Sequence, residues 1–167
     1  DEGDILLQKN IDIGPDDTLG SVYFDKIFPL GVEAVLEAVD LVKAGDPPHI
    51  KQDEADATYE SWCKKADAEI DWSKPVDDVY NLIRGTNPQP GAWTIHDGNE
   101  LKIFDCAKVD TAGEPGEVTD VNADGFTIAA NGGGIAIKRV RPPDDKKIGA
   151  ADYIEKSGLA KGPRLGG

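Results

Sequence analysis

A chain of 167 residues is long enough for one well-buried domain, or for one domain and part of another. Apolar residues make up 39% of it, which argues for a folded core. No apolar run is long enough to span a membrane and no signal-peptide pattern is present, so the composition excludes a membrane-spanning protein. The net charge of −14 excludes a generally basic nucleic-acid-binding protein.

The charge is distributed unevenly along the chain. Residues 1–100 contain 22 Asp and Glu against 8 Lys and Arg, whereas residues 101–167 contain 10 of each kind. The basic cluster of the neutral part consists of Lys138, Arg139, Arg141, Lys146 and Lys147. It suits either a solvated protein face or an RNA-binding surface, and the sequence leaves both open. From the overall charge we expect tRNA to be an unlikely partner.

The first 45 residues predict a strand followed by helices. Residues 5–13 are apolar and then alternate, as in a strand, and Gly14 to Asp17 predict a turn. Thr18 is a suitable helix cap. Pro29 predicts a break or kink near residues 28–31, after which the helical period resumes as far as Gly45.

Residues 46–75 have the composition of an extended connector, with Pro47 and Pro48 opposing a helix at its start. We expect Tyr59, Trp62 and Cys63 to anchor a buried helical turn. Cys63 and Cys106 are too few for a disulfide framework and are interpreted as buried, inert thiols in a reducing compartment, the cytoplasm.

The organising stretch of the chain follows this connector. A helical period predicts a helix over residues 76–84, with Ser73 as its cap and Gly85 just past its end. Pro88 and Pro90 then prevent a helix or a central strand from continuing. Trp93 opens the next run and is predicted to fill the core.

From Trp93 onward the sequence predicts antiparallel strands. Five short runs, at 92–96, 101–107, 116–121, 125–130 and 134–140, are separated by turn residues. Asp97-Gly98 and Asp124-Gly125 are hairpin signals. The fold class is therefore α+β, and the strands predict a small barrel with an OB-type closure.

Other candidate chemical sites are weak by themselves. His49 and His96 have no Cys or His at a spacing suitable for shared ligation, so we predict no metal site. Gly132-Gly133-Gly134 lacks the helix and the Lys of a phosphate-binding loop and predicts a turn.

Seven short motifs, in order along the chain, resemble enzymes that use 10-formyltetrahydrofolate. The first is similar to the Leu-Asp-Thr-Gly-Asp-Ile-Leu run of that family and places Asp1 at the family's catalytic aspartate. The motifs are Asp1 to Gln8, Pro15 to Thr18, Phe28 to Gly31, Ala57 to Tyr59, Ile70 to Trp72, Ile83 to Gly85 and Pro90 to Thr94.

The resemblance implies that a Rossmann-like domain preceding Asp1 supplies an Asn, a His and most of the folate pocket. Asp1 would orient and charge that His. We therefore expect this chain to be part of a larger protein. Residues 1–45 would end the Rossmann-like formyltransferase domain, 46–87 would form a connector with a short helix, and 88–167 the OB-like barrel.

Two branches of the family match different parts of the chain. The middle is most similar to the hydrolase domain of 10-formyltetrahydrofolate dehydrogenase, and the end to methionyl-tRNA formyltransferase. The expected function is formyl removal from, or transfer out of, 10-formyltetrahydrofolate, to water or an amine, with the chain alone inactive. Competing interpretations are an OB-like RNA- or tRNA-binding module without catalysis and an acidic interaction scaffold.

Overall fold

The structure is a computed structural model and describes residues 3–166. The chain divides into two compact units, Asp1–Trp62 and Cys63–Gly167, which are described separately below. Among the described residues, none of the helices is both long and apolar enough to cross a membrane.

The first unit contains a long helical run whose middle is π-helical. It begins at α1 (Leu19–Ser21), passes through the π-helical segment Val22–Ile27 and continues as α2 (Phe28–Ala44). Thr18 caps α1 as predicted, by accepting a hydrogen bond from the Ser21 amide, and Gly45 ends α2 in the left-handed conformation.

Of the predicted break or kink at residues 28–31, the break was wrong, because the helix continues past Pro29. Proline has no amide hydrogen and its ring crowds the carbonyl one turn earlier. The chain accommodates Pro29 by widening the preceding turns, so the Phe28 amide bonds to the Tyr23 carbonyl five residues back.

The predicted strand over residues 5–13 is present only as a single bridge. Ile5 and Ile50 exchange two backbone hydrogen bonds of 2.8 and 3.0 Å, and no strand is assigned elsewhere in residues 6–13. A strand needs a neighbouring strand along its length, and the described part of the first unit provides one only at Ile50.

The first unit leaves large apolar side chains in contact with solvent. Within residues 3–166, every large apolar side chain that is highly exposed lies between residues 13 and 62. These are Ile13, Leu19, Tyr23, Phe24, Ile27, Phe28, Val32, Val35, Leu36, Val39, Val42, Ile50, Tyr59 and Trp62. Such an extended patch is unusual on a domain that functions without a partner.

The connector differs from its prediction at its aromatic residues. It contains two short 3-10 helices, Glu54–Asp56 and Lys65–Ala68. Tyr59 is 88% exposed, Trp62 is 90% exposed and Cys63 is also exposed, so the predicted buried anchor was wrong. The spacing of these three residues suits a helical turn, but residues 57–64 form no helix and both rings remain exposed.

The second unit begins with the predicted organising helix, α3 (Val76–Gly85). Its N-cap is Pro75, whereas the Ser73 hydroxyl bonds to the Asp71 carboxylate, so the predicted Ser73 cap was wrong. The Val76 amide bonds to the Asn131 carbonyl, which ties the start of the helix to the strand region. Val79, Tyr80 and Ile83 face the core as their spacing predicts.

Eight strands form two antiparallel four-stranded sheets among the described residues. The first has the order β1 (Trp93–His96), β2 (Asn99–Ile103), β7 (Arg139–Arg141), β8 (Ile148–Gly149), and the second β3 (Cys106–Val109), β6 (Gly133–Ile137), β5 (Gly125–Ala130), β4 (Val118–Asn122). Helix α4 (Ala150–Ser157) follows. The α+β class is confirmed, and both predicted hairpins are present.

Two of the five predicted strands each divide between the sheets. The run 101–107 divides into β2 and β3, and the run 134–140 into β6 and β7. At the crossing the Phe104 amide bonds to the Arg139 carbonyl, and the Lys138 amide to the Asp105 carbonyl. The alternation is interrupted there, by the apolar pair Ile103 and Phe104 and by the charged pair Lys138 and Arg139, but such an interruption does not by itself specify a change of sheet.

The two sheets are open, and the strand pairing does not close into the predicted barrel within residues 3–166. The C-terminal segment, residues 159–166, hydrogen-bonds to both outer edges. The Leu165 amide bonds to the Gly116 carbonyl beside β4, and the Gly166 amide to the Ile95 carbonyl in β1. Leu159 and Leu165 are 4% and 2% exposed and extend the core.

The tryptophan that fills the core is Trp72 instead of Trp93. Trp72 is 4% exposed, and its indole nitrogen donates to the Thr94 hydroxyl at 3.0 Å. Trp93 is only half-buried, donates to the Lys65 carbonyl and has the Lys65 ammonium 5.4 Å from its ring centroid. Strand alternation turns Thr94 to the core and Trp93 away from it.

Candidate functional site

The one residue assigned to catalysis from the sequence, Asp1, lies outside the described residues. The segment that follows it is held at several points. The Asp4 carboxylate is 3.0 Å from the Lys51 ammonium and 3.7 Å from His49 Nδ1. The Gln52 side chain donates to the Gly3 carbonyl at 2.7 Å. The main chain after Asp1 is therefore fixed by residues 49–52.

A concavity of about 620 Å³ lies along this segment in the first unit. Residues 3–8 form one wall, Ala34, Val35 and Ala38 of α2 form another, and Gln52 contributes from the connector. The lining supplies one carboxylate, Asp4, and amide groups, but no described nucleophile or imidazole. These groups can hold a ligand, but they cannot by themselves perform acid–base chemistry at a carbonyl.

The two histidines lie in unrelated surroundings. His49 is exposed beside Asp4, whereas His96 is buried and its Nδ1 is 2.6 Å from the Tyr153 hydroxyl. Burial raises the pKa of Tyr153. Across residues 3–166 no group of three or more His, Cys, Asp or Glu side chains is placed to hold a metal ion.

The two thiols also differ from each other. The predicted burial of Cys63 was wrong, since it is exposed. Cys106 is half-buried, and burial raises the pKa of its thiol to about 12, with Asp105 adding to the effect, so the thiol is protonated at neutral pH.

The basic cluster predicted from the sequence is only partly brought together. Lys138 and Lys146 are exposed, whereas Arg141 and Lys147 are half-buried. Arg141 lines a concavity of about 440 Å³ together with Lys102. Sequence reasoning missed Lys102, although its place opposite Arg141 follows once β2 and β7 are aligned.

The glycine run belongs to a strand and its entry. Gly132 has a positive φ of 82°, and β6 begins at Gly133. A Cβ at Gly134 would lie 2.4 Å from Thr111 Cγ2, so close packing of strands explains this glycine. The predicted turn therefore agrees with Gly132, whereas Gly133 and Gly134 belong to β6.

A family comparison matches the second unit. The family described as "Formyl transferase, C-terminal domain" matches residues 63–158, which begin at the same residue as that unit.

Curated relatives match nearly the whole chain. The methionyl-tRNA formyltransferase of Geotalea daltonii is 37% identical over 166 residues, covering 99% of this chain and 53% of the relative. The cytosolic 10-formyltetrahydrofolate dehydrogenase of Xenopus laevis is 36% identical over 171 residues, covering 96% of this chain and 19% of the relative. The chain thus spans about half the length of the first relative and a smaller part of the second.

Among solved structures, HypX from Aquifex aeolicus in complex with tetrahydrofolic acid has a TM-score of 0.76. The identity is 22%, over 93% of this chain and 28% of that one, so the likeness concerns the fold. The family match covers more than half of the chain, and the resemblance predicted from its motifs is confirmed. The chain belongs to the formyl transferase family, whose C-terminal domain is matched by residues 63–158.

Proposed function

We propose that this chain is the C-terminal portion of an enzyme that removes the formyl group of 10-formyltetrahydrofolate or transfers it to an acceptor. The observation that carries the proposal is identity of 36–37% along almost the entire chain to two relatives whose names both specify formyl chemistry. The folate donor is supported by the name of the dehydrogenase relative.

For the domain layout we propose that residues 1–45 complete a Rossmann-like formyltransferase domain. The exposed apolar side chains of the first unit support this assignment, because a preceding domain would cover them. The segment 5–8, which is bridged only at Ile5, would likewise gain a neighbouring strand. Residues 46–87 would then be the connector, and 88–167 the C-terminal domain.

We further propose that the C-terminal domain is an OB-like barrel. The strands that pass between the two sheets support it, as does the C-terminal segment that bonds to both β1 and the β4 edge. In this arrangement residues 159–166 stand where the edges of a barrel would meet.

Asp1 is proposed as the carboxylate that orients and charges a histidine of the preceding domain. A carboxylate in that position fixes the imidazole tautomer and stabilises the imidazolium formed during proton transfer. The contacts of Gly3 with Gln52 and of Asp4 with Lys51 support the proposal, because they hold the described residues closest to it in sequence.

The proposed formyl acceptor is water or an amine. The names of the relatives favour tRNA as the acceptor, whereas the net charge of the chain disfavours it. The net charge of −14 resides largely in the first unit, with 15 Asp and Glu and 4 Lys and Arg. The second unit has 17 and 14, a net of −3. The electrostatic objection to tRNA therefore weakens for the second unit, and the name of the first relative specifies a methionyl-tRNA substrate.

A non-catalytic RNA-binding module is less well supported. Its basic concavity is lined by Lys65, Lys102 and Arg141 but also by Glu100, Asp144 and Asp145. Within the described second unit no large aromatic side chain is highly exposed for base stacking. The exposed apolar side chains of the first unit would also suit an acidic interaction scaffold. A preceding domain that covers them accounts for the same exposure and also agrees with the family match. The proposed location is the cytoplasm.

The test is an assay of the complete parent protein, purified with its preceding domain, for tetrahydrofolate release from 10-formyltetrahydrofolate. Release with water alone identifies a hydrolase, and release only with methionyl-tRNA identifies a tRNA formyltransferase. Absence of release with either acceptor, from a protein that binds tetrahydrofolate, would contradict the proposed formyl chemistry.

A further inference from the structure

We propose that the second unit carries a binding site for a single phosphate group of a small molecule, formed by Lys102 and Arg141. The site lies in the 440 Å³ concavity beside residues 142–145. It goes beyond the proposed formyl chemistry and does not depend on it, because none of its residues belongs to the Asp1 region.

The first observation is the register of two neighbouring strands. Lys102 on β2 lies directly opposite Arg141 on β7. Like charges at directly opposed positions of an antiparallel pair repel each other and destabilise the sheet. The opposition of Lys102 and Arg141 is therefore unfavourable by itself, and an anion bound between the two side chains would reduce their repulsion.

The second observation concerns the individual partners of the two cations. Arg141 is half-buried, and among residues 3–166 its guanidinium has no hydrogen-bond or ion-pair partner. The Lys102 ammonium donates to the Pro90 carbonyl at 2.8 Å and is 3.9 Å from Glu100 Oε1. Glu100 also forms an ion pair with Lys65, so this one carboxylate lies near two cations, Lys65 and Lys102.

The third observation is that two partly buried lysines at this end of the sheet each have cationic neighbours. Burial lowers the pKa of Lys102, and the neighbouring Arg141 lowers it further. Burial also lowers the pKa of Lys147, which sits 3.6 Å from the Phe104 ring centroid. Asp105 opposes that shift, whereas Arg139 and Arg141 add to it.

A solvated basic surface does not explain this arrangement. The Lys102 side chain is only 13% exposed and its ammonium is held by a main-chain carbonyl, so it cannot extend into water as surface lysines do. Its nearest carboxylate, Glu100, lies 3.9 Å away and also pairs with Lys65, so a bound anion would add a charged partner to this buried ammonium.

Phosphate has the chemistry that this pair recognises. A guanidinium can donate two parallel hydrogen bonds to phosphate oxygens, and an ammonium adds a point charge. Pro142 and Pro143 give the concavity a rigid wall. Asp144 and Asp145 also line the concavity and would repel the further phosphates of a nucleic acid, so the site suits one isolated phosphate group.

The experiment is calorimetric titration of the 167-residue chain with inorganic phosphate at constant ionic strength, repeated with a short RNA. We expect saturable phosphate binding that weakens by about 10-fold or more in R141Q and in K102Q, through loss of charge-assisted hydrogen bonds. R164Q is the matched control, since Arg164 is an exposed arginine of the same unit that pairs with Glu114. Its affinity should equal that of the unaltered chain.

A second readout separates binding from folding. Without phosphate, the thermal midpoint of R141Q should equal or exceed that of the unaltered chain, because the variant removes the repulsion with Lys102. The proposal is overturned by absent phosphate binding, by equal effects of R141Q and R164Q, or by a lowered midpoint in R141Q. RNA that binds more tightly than phosphate and depends on Arg141 would overturn the small-molecule assignment.

Discussion

A buried polar pair joins α4 to the first sheet of the second unit. His96 is 7% exposed, and its Nδ1 lies 2.6 Å from the Tyr153 hydroxyl oxygen. The two rings make an edge contact with centroids 5.7 Å apart, and Tyr153 also contacts Phe126. A buried imidazole nitrogen needs such a partner because water cannot reach it.

Replacing Tyr153 by Phe should destabilise the second unit by about 1 kcal/mol, since the variant keeps the ring but leaves His96 Nδ1 without its partner. The measurement is the urea midpoint followed by tryptophan fluorescence. Tyr23→Phe, at an exposed tyrosine of the first unit, serves as control. Equal midpoints for Tyr153→Phe and the unaltered chain would show that the hydrogen bond contributes nothing.

The role of Asp1 can be tested in the complete parent protein. Asp1→Asn keeps the shape but removes the charge that stabilises an imidazolium, so turnover should fall by about 10²- to 10⁴-fold with little change in folate affinity. Asp4→Asn is the matched control, because Asp4 pairs with Lys51. A variant at Asp1 that keeps more than about a tenth of the rate, with an inactive Asp4 variant, would move the catalytic role to Asp4.

The sequence predicted residues whose role depends on the local backbone better than residues whose environment depends on distant strands. Thr18 and Gly45 were predicted because helix caps depend on local backbone geometry. Lys102 was missed and Trp93 was placed wrongly, because their environments depend on strands distant in sequence. Asp1 was assigned through family resemblance and remains a prediction.

At the scale of elements, the C-terminal segment links the two sheets. Between Gly116 and Leu165 the backbones approach so closely that a Cβ at Gly116 would lie 2.7 Å from the Leu165 carbonyl oxygen. The Val118 amide bonds to the Pro163 carbonyl, and the Gly162 amide to the Val118 carbonyl. Residues 159–166 therefore act as an additional edge strand without a regular ladder.

Leu165→Ala should destabilise the second unit by about 2–5 kcal/mol, because it leaves a cavity where a 2%-exposed side chain packs. Urea unfolding measures the loss. The neighbouring Arg164→Ala removes only an exposed ion pair with Glu114, so its effect should stay below about 1 kcal/mol. Equal effects of the two substitutions would show that the segment is not part of the core.

The strands show which elements a sequence specifies. All five predicted runs correspond to strands, since alternation and Asp-Gly turns are local signals. Their division at Phe104–Asp105 and Lys138 was not predicted, because the change of sheet depends on pairing between strands that are distant in sequence. The run at residues 5–13 had a strand pattern but lacks a partner strand along most of its length in the described chain.

At the scale of the whole molecule, the two units differ in how well each covers its own apolar surface. The described core consists mainly of residues of the second unit, whereas the large exposed apolar side chains all belong to the first. The second unit therefore has the properties of an independently stable domain, and the first has those of an incomplete one.

Residues 63–167 expressed alone should unfold cooperatively in urea, because their core is contained within the segment. Residues 1–62 alone should show no cooperative transition and should self-associate through their exposed helix. Circular dichroism and analytical ultracentrifugation measure both properties. A monomeric, cooperatively folded 1–62 segment would contradict the interpretation of its apolar face as an interface.

Reconstitution of formyl removal from 10-formyltetrahydrofolate tests most directly whether this chain is an inactive part of a larger enzyme. We expect the 167-residue chain to release tetrahydrofolate only at the uncatalysed rate when it is mixed with 10-formyltetrahydrofolate and an acceptor. Under the proposed function, a carboxylate at Asp1 would need the His and Asn expected from a preceding domain before it could assist proton transfer. Addition of the separately produced preceding domain should restore turnover. Turnover by the 167-residue chain alone, or its absence after both parts associate, would contradict the account.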